Sequence, residues 1–412
     1  MSNINPPPAP VGRRAVRFPG LLRRVLLPLA VVFTVLAASG WITSGEPGTP
    51  DPRTQRLMAW NRDAIGGAEL PSVTSSPERI ASFFASMGHR KWMVLAERHP
   101  EVVGNLDGVP AEVRYAANRH ALNRARQEEL ARTDDERLSA AGRHHAGRLA
   151  NRYASLLRED RRILSFDPSG GGRAAEVFGD LDTAHRISVV VPGVDTDLLT
   201  FERTRMRYRS PVGMAEALHA EQTAADPDRE SAVIAWADYT TPRGVGVSAA
   251  TGELAAEGAD RLVRAVEGLP GEAPVALFCH SYGSVVCGLA ADRLSDRVSD
   301  IVVAGSPGMR VSRADRLGTD ARVWATRAVG DWIRDVPHLA VGPLGHGTDP
   351  VHPSFGALHL ASGSARGHTG YFEPGTDSLR NFARIGTGLL TTVTGARGAP
   401  LCTPESTVGL PA

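Results

Sequence analysis

The segment "ALFCHSYGSVVCG", residues 276–288, places Ser281 between small residues where an apolar run gives way to a small-residue helical stretch. A serine lifted out of a sharp strand-to-helix turn needs small residues two before and two after it, because backbones crowd there. Gly283 meets the second requirement; Cys279, still small, stands at the first. A serine hydroxyl is a poor nucleophile at neutral pH, so it needs a base, and the base needs a carboxylate to orient it. The chemistry to look for is acyl transfer.

With this kind of turn the acid and then the histidine come downstream in the chain. Asp331 follows the apolar stretch "RVWATRAVG" and is the candidate acid, with Asp335, one turn later, in reserve. Asp300 precedes its strand, at the wrong end of the sheet, and Asp349 lies in a loop. Among His338, His346, His352, His359 and His368, the last sits in "ARGHTGYF", just past an expected strand "FGALHLA" that holds His359. His368 is therefore the candidate base, and His280 is read as a packing residue. The amide of Tyr282 offers one donor for an oxyanion. "VVVPGVDTD" offers a second, with Gly193 permitting the turn and the Val194 N–H facing the site. Trp236 and Tyr239, after "VIAW", are read as lining an acyl pocket. His346, Asp349, His352 and His359 in "GHGTDPVHPSFGALH" match no zinc spacing, and HExxH is absent. No metal and no other cofactor is expected.

These side chains need a sheet to position them. From residue 160 onward, short β-branched runs bounded by Gly and Pro alternate with helical stretches such as "ATGELAAEGADRLVRAVEGL". Continuous apolar strands of this kind are buried on both faces, which predicts an α/β domain with a mostly parallel sheet flanked by helices over 161–395. Residues 77–160 read as a helical segment opening on a Ser cap in "SPERIASFFASM", with a mixed-charge, solvated face further on. Residues 43–76, rich in Pro, Gly, Ser and Thr, read as a linker, and 396–412 as a flexible tail.

The 46 basic and 45 acidic side chains nearly cancel, which argues against a nucleic-acid partner. Lys91 is the only lysine, so a GxxxxGK[ST] phosphate loop cannot be present, and a Ser-Lys dyad is disfavoured. The first 24 residues carry five arginines and no acid; Val25–Ile42 follows without a charge. That pattern predicts a cytoplasmic basic leader and an uncleaved membrane anchor over 25–42, with a cleaved signal peptide as the alternative. The catalytic part would then lie outside the cell membrane, or be secreted. Three cysteines allow at most one disulfide. Cys279 in a strand and Cys287 about two helical turns later are expected to face apart and remain free thiols.

The stretches "HPEVVGNLDGVPAEVRYAANRHAL", "ISVVVPGVDTDL", "CHSYGSVVCGLAA", "VVAGSPGM", "VWATRAVGDWI", "GHGTDPVHPSFGA" and "GHTGYF" occur in order from about residue 90 to 390. Together they resemble a bacterial α/β-hydrolase family long catalogued as a domain of unknown function. The resemblance implies an α/β-hydrolase fold and a Ser281, Asp331, His368 constellation. It also marks two departures: Cys279 where the family usually has Gly, and Val194-Asp195 where it often has Thr-Gly. The resulting expectation is an extracytoplasmic serine hydrolase acting on a small-molecule or envelope carboxylic ester. A peptidase or amidase with the same triad, or an inactive envelope-binding module, are the alternatives.

Overall fold

In the computed structural model, residues 51–396 are described. The basic leader, the uncharged run 25–42 and the tail from 397 onward lie outside the described residues. Among the described residues no helix is long and apolar enough to cross a membrane.

The chain enters through α1 (Pro52–Arg62) and a short hairpin, β1 (Ala64–Ile65) with β2 (Ala68–Glu69). Four further helices follow: α2 (Pro77–Ala85), α3 (His89–Arg98), α4 (Pro100–Val103) and the 23-residue α5 (Ala111–Thr133). Ser76 caps α2, its side chain accepting from Arg79 N–H at 3.4 Å. Trp60, Ile65, Ile80, Phe84, Leu95 and Val103 close into one apolar cluster. The linker expected over 43–76 is corrected from residue 52 onward: Trp60 is fully buried and its indole N–H donates to the Pro71 carbonyl at 2.7 Å. The Gly, Pro and Ser residues past α1 serve its turns, and Trp60, Ile65, Leu57, Leu70 and Val73 pack it onto the helices.

After α6 (Ala140–Leu156) come β3 (Arg162–Asp167), β4 (Arg173–Phe178), β5 (Arg186–Val191), α7 (Pro211–Ala225) and β6 (Ser231–Ala237). Next are α8 (Val247–Ala250), α9 (Glu253–Glu267), β7 (Val275–His280), α10 (Gly283–Ala290), β8 (Val298–Ala304) and β9 (Arg322–Thr326). A two-stranded excursion, β10 (Ala340–Val341) with β11 (Leu344–Gly345), precedes β12 (Leu358–His359) and α11 (Asp377–Thr387). The eight-stranded sheet has the order β12-β9-β8-β7-β5-β6-β4-β3. It is parallel from β12 through β6, whereas β4 pairs antiparallel with both β6 and β3.

The period-2 geometry of a strand divides each apolar run between two cores. Val275, Leu277 and Cys279 join the cluster under α9 and α10, while Ala276 and Phe278 join the one under α7 and α11. The helical segment is tied to the β3 edge by buried polar side chains. Asn118 donates to the Ile163 carbonyl at 2.9 Å, Arg114 to the Leu164 carbonyl at 2.9 Å, and Asn105 exchanges two hydrogen bonds with the Phe166 backbone. Apart from buried Arg114, the charged residues of α5 lie at least partly open to solvent.

The cysteine expectation is also corrected: Cys279 and Cys287 form a disulfide with a Cα–Cα distance of 6.5 Å. Cys279 points to the face that α10 covers, and α10 turns straight back over β7. Cys287, only four residues into the helix, therefore lies above the strand rather than away from it.

Candidate active site

The strands bring their carboxyl ends to one edge of the sheet, and the loops leaving that edge carry the residues of interest. Ser281 follows β7 with φ +55° and is 5% exposed. A non-glycine residue in the left-handed region costs on the order of 1–3 kcal/mol and persists only where its surroundings enforce it. The Ser281 N–H donates to the Ala304 carbonyl at 3.0 Å, and Ser284, one turn on, donates to the Ser281 carbonyl at 2.5 Å. Gly283 is required for close approach, because a Cβ there would lie 2.3 Å from the Val191 carbonyl oxygen.

Asp331 lies in the loop after β9 and is fully buried; His368 lies in the loop after β12. The structure brings both to Ser281. His368 Nδ1 is 2.8 Å from Asp331 Oδ1, and His368 Nε2 is 2.8 Å from Ser281 Oγ. A carboxylate only accepts, so Nδ1 carries the proton and Nε2 presents its lone pair to the serine hydroxyl. This is the tautomer that can take a proton from the serine.

Both carboxylate oxygens of Asp331 are occupied. Oδ1 also accepts from the Ile333 N–H at 2.9 Å, and Oδ2 accepts from the Tyr371 hydroxyl, which itself accepts from the Ala328 N–H at 3.0 Å. Burial works to raise the Asp331 pKa, but the hydrogen bonds from His368 and Tyr371 outweigh it and hold the carboxyl below the ordinary range. Burial and the neighbouring carboxylate push the Tyr371 phenol far upward, so it remains a donor.

His280 is buried, and its Nε2–H donates to the His368 carbonyl at 2.6 Å. Burial pushes its pKa down to about 3, so it is a neutral strut behind the His368 backbone, in line with the packing role expected for it. Gly305, at φ +59°, lets the end of β8 pass beneath the group: a Cβ there would lie 2.8 Å from Asp331 Oδ2 and 3.2 Å from His368 Cε1.

The oxyanion loop borders Ser281, since a Cβ on Gly193 would lie 2.6 Å from the serine Cβ. Among the described residues the N–H groups of Val194 and Tyr282 donate to no internal acceptor, while Asp195 N–H donates to the Pro242 carbonyl at 2.9 Å. Two free amides beside a nucleophile are the arrangement an oxyanion requires.

Trp236 and Tyr239 are corrected from pocket lining to core. They stack 5.7 Å apart, are 2% and 1% exposed, and the Tyr239 hydroxyl donates to the Pro192 carbonyl at 2.6 Å, propping the oxyanion loop from beneath. Besides buried Tyr371, Trp332 meets the site from the solvent side, its ring centroid 4.6 Å from that of His368. Sequence reasoning missed Trp332, Tyr371 and Gly305. All three lie inside stretches that carry the family resemblance, "VVAGSPGM", "VWATRAVGDWI" and "GHTGYF", and that membership is their one signal.

The remaining candidates disperse. Asp300 binds Arg322 at 2.7 and 2.8 Å at the opposite end of the sheet; Asp349 binds Arg327 at 2.5 Å. Asp335 pairs with Arg334 at 3.3 Å. His338 and His346 contact the Pro307 and Ala249 carbonyls, His352 contacts Ser354, and His359 stays in edge strand β12. A cavity of about 1200 Å³ also sits away from the serine, lined by Arg162, Glu176, Phe178, Glu202 and Ser231 near the other sheet edge.

Residues 167–341 match the family model described as "Alpha/beta hydrolase", a span that holds Ser281 and Asp331 and ends before His368. The chain is 28% identical over 430 residues to an uncharacterized protein of Mycobacterium tuberculosis, covering 85% of this chain and 64% of that one. It thus spans under two thirds of the length of that relative. An uncharacterized protein of Mycobacterium bovis is 31% identical over 153 residues, which is 36% of this chain and 56% of that one. A solved structure described as a predicted CIB-like hydrolase from Thermoplasma acidophilum aligns at 13% identity with a TM-score of 0.34, over 56% of this chain and 97% of that one.

Proposed function

We propose that this chain, whose residues 167–341 match the alpha/beta hydrolase family model, is a serine hydrolase that cleaves a carboxylic ester through an acyl-enzyme. The observation that carries this reading is the continuous hydrogen-bonded line from Ser281 through His368 to Asp331. Ser281 Oγ forms a bond to the carbonyl carbon as His368 Nε2 takes its proton; the carbonyl electrons move to oxygen, where the Val194 and Tyr282 amides receive them. Collapse breaks the bond to the alkoxy oxygen, which leaves with the proton from His368. Water, deprotonated by the same imidazole, then releases the acid and restores the serine. Asp331 keeps Nδ1 protonated throughout and balances the imidazolium.

The basic leader and the uncharged run Val25–Ile42 support a site of action outside the cytoplasm, with the chain held at the cell membrane. Turnover of p-nitrophenyl acetate by the full chain tests the reaction. Ser281→Ala should lower kcat at least about 10³-fold while leaving the thermal transition in place. Undiminished turnover would rule out Ser281 as the nucleophile, and a preference for anilides over esters in a matched panel would move the substrate to amides.

A further inference from the structure

Eleven large apolar side chains are exposed among the described residues, and seven of them lie on the segments that leave the sheet edge holding Ser281. A scattered exposed Val or Leu needs no explanation, but a cluster rimming a reactive site does. Trp332 and Val329 flank His368: the Trp332 ring packs on the imidazole, and the Val329 carbonyl accepts the Gly367 N–H at 3.0 Å. Leu339, Val341 and Leu344 are carried on the β10–β11 excursion, where six consecutive residues, 339–344, are exposed and none is charged. Val245 and Val247 lie in a second uncharged stretch, 244–250, after β6.

These two stretches are joined to each other and to the serine loop. Thr251 bridges Leu344, His346 Nε2–H donates to the Ala249 carbonyl at 2.7 Å, and the Tyr282 hydroxyl donates to the Thr251 carbonyl at 3.0 Å. With charged residues at 22% of the chain, two uncharged exposed loops meeting beside one site are not what a purely aqueous surface requires. An indole at the mouth also suits the boundary between water and acyl chains.

We propose that this apolar rim docks on a lipid surface, so that Ser281 receives an acyl ester directly from the lipid phase. The occupant is a lipid assembly for two reasons. The rim adjoins the acyl-transfer site through the Trp332–His368 contact and the Tyr282–Thr251 hydrogen bond, so an acyl ester held there lies beside the serine. In sequence, moreover, only residues 43–50 separate the uncharged run Val25–Ile42 from the described chain. The substrate part of this inference rests on the ester reading; the docking part does not.

The test uses full-length chain with phosphatidylcholine vesicles carrying brominated acyl chains, which quench the tryptophans they touch. Bromination should remove more emission from the wild-type chain than from Trp332→Phe. The double variant Val341→Ser, Leu344→Ser should lose that difference while keeping Trp332. Equal quenching of wild type and Trp332→Phe overturns the proposal, and equal quenching with concentration-dependent dimers assigns the rim to a second copy instead. In parallel, the ratio of turnover on emulsified tributyrin to turnover on soluble p-nitrophenyl acetate should fall at least tenfold in the double variant. An unchanged ratio overturns delivery from the lipid phase. Quenching at Trp332 with no Ser281-dependent hydrolysis of either ester supports docking and sinks the ester reading.

Discussion

Asp300 and Asp331 sit at opposite ends of the same two strands and are both fully buried, yet they are built for different tasks. Asp300, near the start of β8, faces Arg322 through two short hydrogen bonds and the Trp324 indole N–H at 2.9 Å. Its partner is charged at every accessible pH, so the pair can only hold the sheet together. Asp331, past β9, faces an imidazole, a phenol and a backbone amide. Its partner can gain and lose a proton while remaining in place. What distinguishes the functional carboxylate is therefore not burial but a neighbour whose charge can change.

The widest separation should come from removing the two charges in turn. Asp331→Asn leaves the shape but no longer fixes the tautomer of His368, and kcat should fall about 10³–10⁴-fold with little change in thermal stability. Asp300→Asn should do the reverse, costing about 3–5 kcal/mol in denaturant unfolding because a buried carboxylate shared by Arg322 and Arg186 loses its charge, while kcat per folded molecule is retained. A stability loss for Asp331→Asn as large as that for Asp300→Asn would erase the distinction.

His280 sharpens the comparison through pH. Its folded pKa lies near 3, below the unfolded value of 6.5, so between these values the unfolded chain binds a proton that the folded chain refuses. The stability tied to His280 is thus fully present above pH 6.5 and is lost as pH falls toward 3, by up to roughly 4 kcal/mol. His280→Gln keeps a donor near the His368 carbonyl without titrating, so its unfolding free energy should fall less steeply over that window. Parallel curves for wild type and variant would contradict the buried neutral assignment. The smallest effect belongs to Tyr371→Phe, which removes one donor from Asp331 Oδ2 and should lower kcat about tenfold, about 1.4 kcal/mol, with KM nearly unchanged.

The order of strands, helices and loops explains how much of this was legible beforehand. Ser281, Asp331 and His368 each follow a recognisable apolar strand, so sequence periodicity alone assigns them to one sheet edge. Tyr371 and Trp332 were not legible because each reaches the group from within its own loop, through a conformation that no periodicity encodes. Trp236 and Tyr239 misled for the opposite reason: they sit at the correct edge, but the Tyr239 hydroxyl is spent on the Pro192 carbonyl. The Cys279–Cys287 bond was hidden by counting helical turns along the chain without folding α10 back over β7. The stretch from residue 52 has linker composition, yet it forms a helix and a hairpin whose Trp60 and Ile65 are buried.

The most direct measurement is covalent. A fluorophosphonate probe should modify the wild-type chain at Ser281, identified by mapping the labelled peptide, and labelling should slow by orders of magnitude in His368→Ala, which removes the base 2.8 Å from the hydroxyl. Labelling at another serine, or at Ser281 with equal speed in both chains, would contradict the proton-transfer line on which the account stands.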